Sequence, residues 1–361
     1  MTERRRTDEV VDHGKDDDGA PVLVTGASGF IAKHCIKALL GAGHVVRGTV
    51  RSRARTGDSV HAAVGLAVDD PRLTLIEADL TADAGWAQAV AGCVHVLHVA
   101  SPFPLKLPRS REAVIGPARD GALRVMRAAA SAGVNRVVMT SSIVAVIYPR
   151  ADRADRRFTA ADWTDPERSD ISAYVASKTI AERAVREFVA ATPGAPEIVT
   201  VHPGFVAGPA LDADLSTSVE VIRQMMVGRH RAAPRAGWPV VDVRDAADLH
   251  VAAMTAPGIA GERVIAASGS MMLMAMGHAI AAQYPELRQK LPRFEVPDFA
   301  VRAVAFLDSS IAAVLPDLGG MRHIEADRAP ILLGRPLVSP RAAVLATAES
   351  LIALGLVRTA A

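Results

Sequence analysis

The sequence predicts an α/β fold: a doubly wound parallel sheet carrying a smaller, mostly helical lobe in its C-terminal part. Three observations predict it. Short apolar runs alternate with amphipathic stretches as far as residue 204, the pattern of repeated strand–helix units. The first such unit is joined by a glycine-rich turn, VTGASGFIA. Half of the residues are apolar but only 4% are aromatic, and alanine and valine abound, which suits strands buried on both faces under closely packed helices.

The elements follow in order. Residues 21–26 read as a strand, and 30–43 as an amphipathic helix stopped by glycine. Apolar runs at 44–51, 73–80 and 94–101 give the second, third and fourth strands. A long helix follows at about 110–132, then a fifth strand at 135–142. Tyr174 opens another long helix, and 197–204 is the sixth strand. After residue 205 the alternation loosens and proline becomes frequent, so a separate lobe is expected there, with some segments returning to the sheet. Residues 265–283, IAASGSMMLMAMGHAIAAQ, are too interrupted by Ser, Gly and His for a membrane span and read as a methionine-rich core helix.

Charge and cysteine content exclude several classes. The 361 residues carry a formal net charge of +2, so no strong field argues for nucleic acid or an anionic membrane as a partner. The two cysteines, Cys35 and Cys93, lack CxxC or metal-ligand spacing and are expected to be reduced and buried, as in a cytoplasmic protein. No metal site is expected. The N-terminal segment, MTERRRTDEVVDHGKDDDGA, is charged and lacks the apolar region of a secretory signal; a disordered extension over 1–20 is expected.

The glycine turn sits between strand and helix, the context that makes such a turn informative. Gly26 and Gly29 permit a tight turn and a close backbone approach, and the helix beyond offers free N–H groups to a pyrophosphate. The third small position is Ala32. At the end of the second strand, where an NAD-binding protein carries an acid, this chain has Arg51, followed by Arg53 and Arg55. A guanidinium binds a 2′-phosphate that an acid would repel, so NADP(H) is the expected cofactor. A solvated basic loop would account for Arg53 and Arg55 better than for Arg51. Asp79 and Leu80 end the third strand; Asp79 either flanks adenine or caps a helix. The expected division is therefore a nucleotide-binding domain of Rossmann type over 21–204 and a lobe over 205–361.

The stretch SAYVASKTIAE places Tyr174 four residues before Lys178, in a chain with only three tyrosines and six lysines. On a helix the two share a face. A phenol with an ordinary pKa of about 10 is a poor acid–base group at neutral pH, and a neighbouring ammonium would lower it. A hydroxyl such as that of Ser142, ending the fifth strand, could hold a carbonyl against the tyrosine.

With these motifs in this order, TGASGFIA, ADL, HVASPF, MTSS, YVASK, HPGFVAGP and VDVRDAA, the chain resembles the extended short-chain dehydrogenases/reductases over about residues 20–357. VRGTVRS, HVASPFP and HPGFVAGP resemble its dihydroflavonol reductase-like and methylglyoxal-aldehyde reductase-like branch. The resemblance implies Ser142, Tyr174 and Lys178 as the catalytic triad, with Tyr174 as proton donor and Lys178 also binding the nicotinamide ribose. It implies Gly26, Ser28, Gly29, Phe30 and Ile31 at the pyrophosphate, Val99, Ala100 and Ser101 under the ribose and nicotinamide, and Pro203 and Val206 beside the carboxamide. It implies a substrate pocket of Phe103, Ile143, Ile171 and Phe205, with Met225, Met226 and Trp238 as further candidates. These are apolar, so the substrate is expected to be an apolar or aromatic aldehyde or ketone. His202 is expected to be structural, and Tyr148 and Trp163 lie where either could reach the pocket. An NADPH-dependent carbonyl reductase, monomeric or dimeric, is the leading expectation. A nucleotide-sugar epimerase or dehydratase, a hydroxysteroid-type dehydrogenase and a non-catalytic NADP sensor are the alternatives.

Overall fold

Seven parallel strands form the central sheet of the computed structural model, which describes residues 19–102, 110–150, 157–305 and 315–359. They are β1 (Val22–Val24), β2 (Val46–Val50), β3 (Leu73–Glu77), β4 (His95–His98), β5 (Arg136–Thr140), β7 (Glu197–Pro203) and β11 (Arg263–Ala266). Four others, β6 (Arg157–Phe158), β8 (Phe205–Ala207), β9 (Ala232–Pro234) and β10 (Ala236–Asp242), lie outside this sheet. The spatial order is β3-β2-β1-β4-β5-β7-β11, so the winding reverses between β1 and β4. At such a switch point the crevice beyond the carboxyl ends of the strands is open to a ligand.

Strands and helices follow the apolar periodicity. Val22, Leu23 and Val24 are all buried, as a strand covered on both faces requires. The helices α1 (Phe30–Gly41), α2 (Arg53–Val64), α3 (Trp86–Val90), α4 (Glu112–Ser131) and α5 (Ala173–Ala191) connect them. On one face α3, α4 and α5 close over a cluster containing Trp86, Val125, Met126 and Val185. Each strand stops short of its expected C-terminal end. Thr25 and Gly26, Asp79, Val99 to Ser101, and Ser141 and Ser142 all leave the ladder. They leave the sheet at its carboxyl edge, where Thr25 and Ser141 stay buried.

After β8 come α6 (Thr217–Met226), α7 (Val243–Thr255) and α8 (Leu273–Gln283). Two of the later segments return to the sheet. β11 pairs with β7, and α7 packs against α1 and against β4, β5 and β7. The rest of this half is richer in strand than its sequence suggests. β10 pairs with β8, with β12 (Gly269–Met272) and with the short strand Gly320–Met321 in a small mixed sheet. The methionine-rich stretch is divided accordingly: Met271 and Met272 end β12, and only from Leu273 does it become helix, with Met274 and Met276 buried. One apolar cluster runs from Val24 and Ile36 through Val243 and Leu249 to Leu351, so the core is continuous across residue 205. The expected extension over 1–20 lies outside the described residues except for its last two positions. Among the described residues no helix is long and apolar enough to cross a membrane.

Candidate active site

The glycine turn is held by threonines that the sequence did not single out. Gly26 has φ +68°, and a Cβ there would stand 3.0 Å from Ala100 Cβ and 3.1 Å from Ala100 Cα. Only glycine fits both the conformation and the close approach of the two strand ends. The Gly26 N–H donates to Thr49 Oγ1 at 3.0 Å, and the Ala100 N–H donates to Thr25 Oγ1 at 3.0 Å. Thr25 Oγ1 also meets His98 Nδ1 at 2.9 Å. The turn at the end of β1 and the segment after β4 are thus one hydrogen-bonded unit.

Gly29 is the N-cap of α1, with no side-chain cap and no acid in the first turn. The first amide groups of this helix, including those of Phe30 and Ile31, therefore remain available to an anion. The Phe30 side chain turns away into the core, edge-on to the His34 ring at 5.5 Å. Its place at a pyrophosphate is a backbone role. Ser28 is half-buried and Gly29 exposed at the mouth of the turn.

Arg51 is exposed at the end of β2, with Arg53 and Arg55 on the first turn of α2 behind it. The Arg53 N–H donates to Glu77 Oε1 at 2.7 Å. Asp79 is not a helix cap. Its Oδ1 accepts from Thr81 N–H at 2.8 Å and from the Thr81 hydroxyl at 2.7 Å, closing a turn well before α3 begins at Trp86. These hydrogen bonds hold the Asp79 carboxyl below its ordinary pKa, and the nearby Arg51 charge adds to the effect. The half-buried Leu80 packs against Gly121 of α4, where a Cβ would stand 2.9 Å from Leu80 Cβ. The groups present fit a dinucleotide: a collision-free glycine cradle, an uncapped helix start, and a cation at the end of β2.

Ser142 follows β5 as the N-cap of a short 3-10 turn, Ile143–Ala145, with its Oγ accepting from Val144 N–H at 3.4 Å. Tyr174 is the second residue of α5, whose start is capped by Ser172 accepting from Val175 N–H at 3.3 Å. The Tyr174 hydroxyl and Ser142 are hydrogen-bonded. One turn on, Lys178 is buried, with Nζ 5.9 Å from the Tyr174 ring centroid. Burial lowers the Lys178 pKa to about 8, against an opposing pull from Glu182. Burial also raises the Tyr174 pKa, and the Ser142 hydrogen bond only partly offsets it. In the protein alone burial therefore outweighs the expected lowering by lysine, and the phenol stays protonated. His98 is pushed down to about 3, chiefly by burial and secondly by Lys178, so it is a neutral acceptor beside the lysine.

Other expected residues gather at the same edge. Val99 and Ala100 are half-buried after β4, and Ser101 is exposed. Thr140 pairs with Val201, and Ser141 N–H donates to Val201 O at 2.8 Å, so Ser142 ends beside Pro203. Pro203 and Val206 are both buried. The expected substrate residues pack in two different apolar clusters. Ile143 and Ile171 are buried in a cluster with Ile115, Ile147 and Phe158. Phe205 instead stacks on Trp238, with centroids 5.9 Å apart and planes at 19°. Phe103 lies outside the described residues. Met225 and Met226 are fully buried core residues of α6.

Tyr148 and Trp238 meet at Asp317, a buried carboxylate that no local motif marks. The Tyr148 hydroxyl donates to its Oδ1 at 2.6 Å and Trp238 Nε1–H to its Oδ2 at 2.7 Å. Trp163 lies under the Arg263 guanidinium at 3.8 Å and is structural. His202 is buried in β7 and bonded to Glu182, as a structural histidine would be.

The match to known proteins follows this frame. The model of the NAD dependent epimerase/dehydratase family matches residues 22–266, from the first strand of the central sheet to its last. The chain belongs to that family. Within it, this extended short-chain dehydrogenase/reductase is 36% identical over 240 residues to a protein named cinnamoyl-CoA reductase CAD2 from Medicago truncatula, covering 65% of this chain and 72% of that one. It is 30% identical over 306 residues to ketoreductase azaE from Aspergillus niger, covering 80% of this chain and 90% of that one. Among solved structures, yeast methylglyoxal/isovaleraldehyde reductase Gre2 complexed with NADPH superposes with a TM-score of 0.77 at 25% identity, covering 93% of this chain and 99% of that one. The family member described here is an oxidoreductase.

Proposed function

We propose that this protein is an NADPH-dependent carbonyl reductase acting on apolar or aromatic aldehydes and ketones. The observation that carries the reading is the Ser142–Tyr174 hydrogen bond with the buried Lys178 one turn away, at the crevice where the sheet reverses its winding. Arg51 at the end of β2 supports the choice of NADPH, as do the NADPH complexes of Gre2 from yeast and Candida albicans. The apolar side chains Phe205 and Trp238 beside that crevice support the substrate class.

The cofactor's chemistry is hydride donation. Gly26, Ser28, Gly29 and the backbone of Phe30 and Ile31 would hold its pyrophosphate, Arg51 its 2′-phosphate, and Lys178 its nicotinamide ribose. The protein's own part is the proton. Ser142 Oγ donates a hydrogen bond to the substrate carbonyl and keeps it beside Tyr174. Tyr174 gives its phenolic proton to the carbonyl oxygen as negative charge develops there. The Lys178 ammonium stabilises the phenolate that remains. No carboxylate stands beside Ser142 in TSSIVAVIY to assist an elimination, which disfavours a dehydratase.

The test is NADPH oxidation with a panel of apolar aldehydes, α-diketones and aryl ketones, run on the wild type and Tyr174→Phe. The wild type turns over at least one carbonyl. The variant keeps its affinity for NADPH and loses turnover by about 10²-fold or more, the scale of a positioned proton donor. Substantial turnover by Tyr174→Phe would remove the tyrosine from this role.

A further inference from the structure

One carboxylate ties together the three elements that carry the candidate active-site atoms. Glu182 lies on α5, four residues after Lys178 and eight after Tyr174, and its side chain is fully buried. Its Oε2 accepts from the Ser141 hydroxyl at 2.7 Å, at the end of β5 and next to Ser142. The same oxygen accepts from His202 Nε2–H at 2.8 Å, on β7 and next to Pro203. Its Oε1 accepts from Arg263 Nε at 2.8 Å, on β11, from Arg186 Nε at 3.2 Å, and from Thr200 Oγ1 at 3.2 Å. A carboxylate has two oxygens with about four lone-pair sites, and here they are filled from four elements.

We propose that Glu182 is a positioning residue for the reductase: its buried negative charge keeps Lys178 an ammonium and its hydrogen bonds lock Ser142 and Pro203 to the Tyr174 helix. The proposal rests on the carbonyl-reductase reading above. The electrostatic half follows from what surrounds each group. Facing Glu182 are Arg186 from its own helix, His202 from β7 and Arg263 from β11; burial works to raise its carboxyl, but His202 and Arg263 hold it well below the usual range. Facing Lys178 are Tyr174 and Glu182 on its own helix and the neutral His98 of β4. Glu182 is therefore the charged partner that counters the burial of Lys178. Without it, Lys178 loses its proton at lower pH. A purely structural anchor would hold β5, α5 and β7 together and leave that titration alone.

The experiment is the pH profile of kcat/KM for the full-length protein with NADPH and a carbonyl substrate, in wild type, Glu182→Gln and Glu182→Asp. Glu182→Gln shifts the alkaline limb to lower pH by about one unit, the size expected for loss of a nearby buried charge. Glu182→Asp keeps the charge, so its limb stays in place while kcat falls several-fold from the loosened ties. Should Glu182→Gln fail to fold by circular dichroism, Glu182→Gln with Arg263→Gln removes the buried charges as a neutral pair, and a downward shift of the same sign but smaller size is expected, because Glu182 is the nearer of the two to Lys178. An alkaline limb unmoved in folded Gln variants, with a uniform loss of rate, overturns the proposal and leaves Glu182 a structural anchor. A wild type that oxidises NADPH with none of the carbonyls would instead refute the reductase reading. In that case the pH dependence of NADPH binding, followed by fluorescence, carries the test of Glu182: Lys178 contacts the ribose on this reading, so the same downward shift is expected there, and no shift overturns the proposal.

Discussion

Arg51 is the residue whose replacement most directly reports on the cofactor. It stands exposed at the end of β2, with Asp79 close enough to feel its charge. Arg51→Asp would put a second carboxylate beside Asp79 and remove the Arg51 cation from the end of that strand. A charge-assisted hydrogen bond is worth roughly 1.5–3 kcal/mol, so NADPH should bind about 10- to 100-fold more weakly. NADH, which has no 2′-phosphate, should bind as before or slightly better. Dissociation constants for both nucleotides, from nicotinamide fluorescence, check this; an equal loss for both would reduce Arg51 to a surface charge. At this scale the sequence is legible wherever the chemistry is local. Tyr174 and Lys178 are four residues apart, and the glycine turn spans a handful of positions. Glu182 also lies on that helix, but its partners Ser141, His202 and Arg263 are 41, 20 and 81 residues away. Nothing in a linear reading brings them together.

The elements of the sheet were readable because each is a buried apolar run with its partner strand in a repeating unit. What the pattern could not mark was the point at which a run leaves the ladder, since that point is set by pairing with the neighbouring strand and Val99 continues the apolar run of β4 without a break. The later half was less readable because its pairings are non-local: β10 joins β8 on one side and β12 on the other, and β6 pairs with His323–Ile324, more than 160 residues on. Asp317 belongs to this long-range class. It joins Tyr148, six residues beyond Ser142, to Trp238 of β10, and Trp238 is the residue stacked on Phe205. Replacing it with leucine leaves a buried phenol and a buried indole N–H without an acceptor, at about 1–3 kcal/mol each. Asp317→Leu should therefore lower stability by about 2–5 kcal/mol and free Trp238 from its place against Phe205. The expected kinetic result is a raised KM for the carbonyl with an unchanged dissociation constant for NADPH. Asp317→Asn, which still offers one acceptor oxygen, should be milder in both respects. An unchanged KM in a folded Asp317→Leu would show that the Phe205–Trp238 pair does not meet the substrate.

Across the whole molecule, the halves before and after residue 205 share one apolar cluster, and of three buried histidines two bond across that junction and one lies behind the glycine turn. His34 Nε2 meets Pro209 O at 2.9 Å, joining α1 to the segment after β8. His250 of α7 bonds through Nε2 to Thr140 Oγ1 of β5 and through Nδ1 to Ala246 O, both at 2.7 Å. His98 of β4 bonds to Thr25 behind the glycine turn. Burial lowers the pKa of all three, to about 3 for His98 and about 4 for His250. The unfolded chain takes up these protons near the ordinary value of 6.5, whereas the folded chain refuses them until far lower pH. Stability is thus complete above about pH 6.5 and falls as the pH drops toward the folded values, by about 1.4 kcal/mol per pH unit for each of His98 and His250. The depressed carboxylates, Glu182 among them, lose their contribution only below the ordinary glutamate value of 4.5, so the interval between isolates the histidines. Thermal unfolding followed by circular dichroism should give one cooperative transition, because no break in the core separates the halves. Its midpoint should be flat from pH 8 to 7 and fall steadily from pH 6.5 to 5. In His250→Gln the midpoint should be lower at pH 8, where a packed and bonded ring has been lost, yet fall less steeply on acidification, where one refused proton has been removed. A midpoint unchanged between pH 7 and 5 in the wild type would mean that these rings do not resist protonation, and the junction that two of them bridge would owe its stability to apolar contact alone.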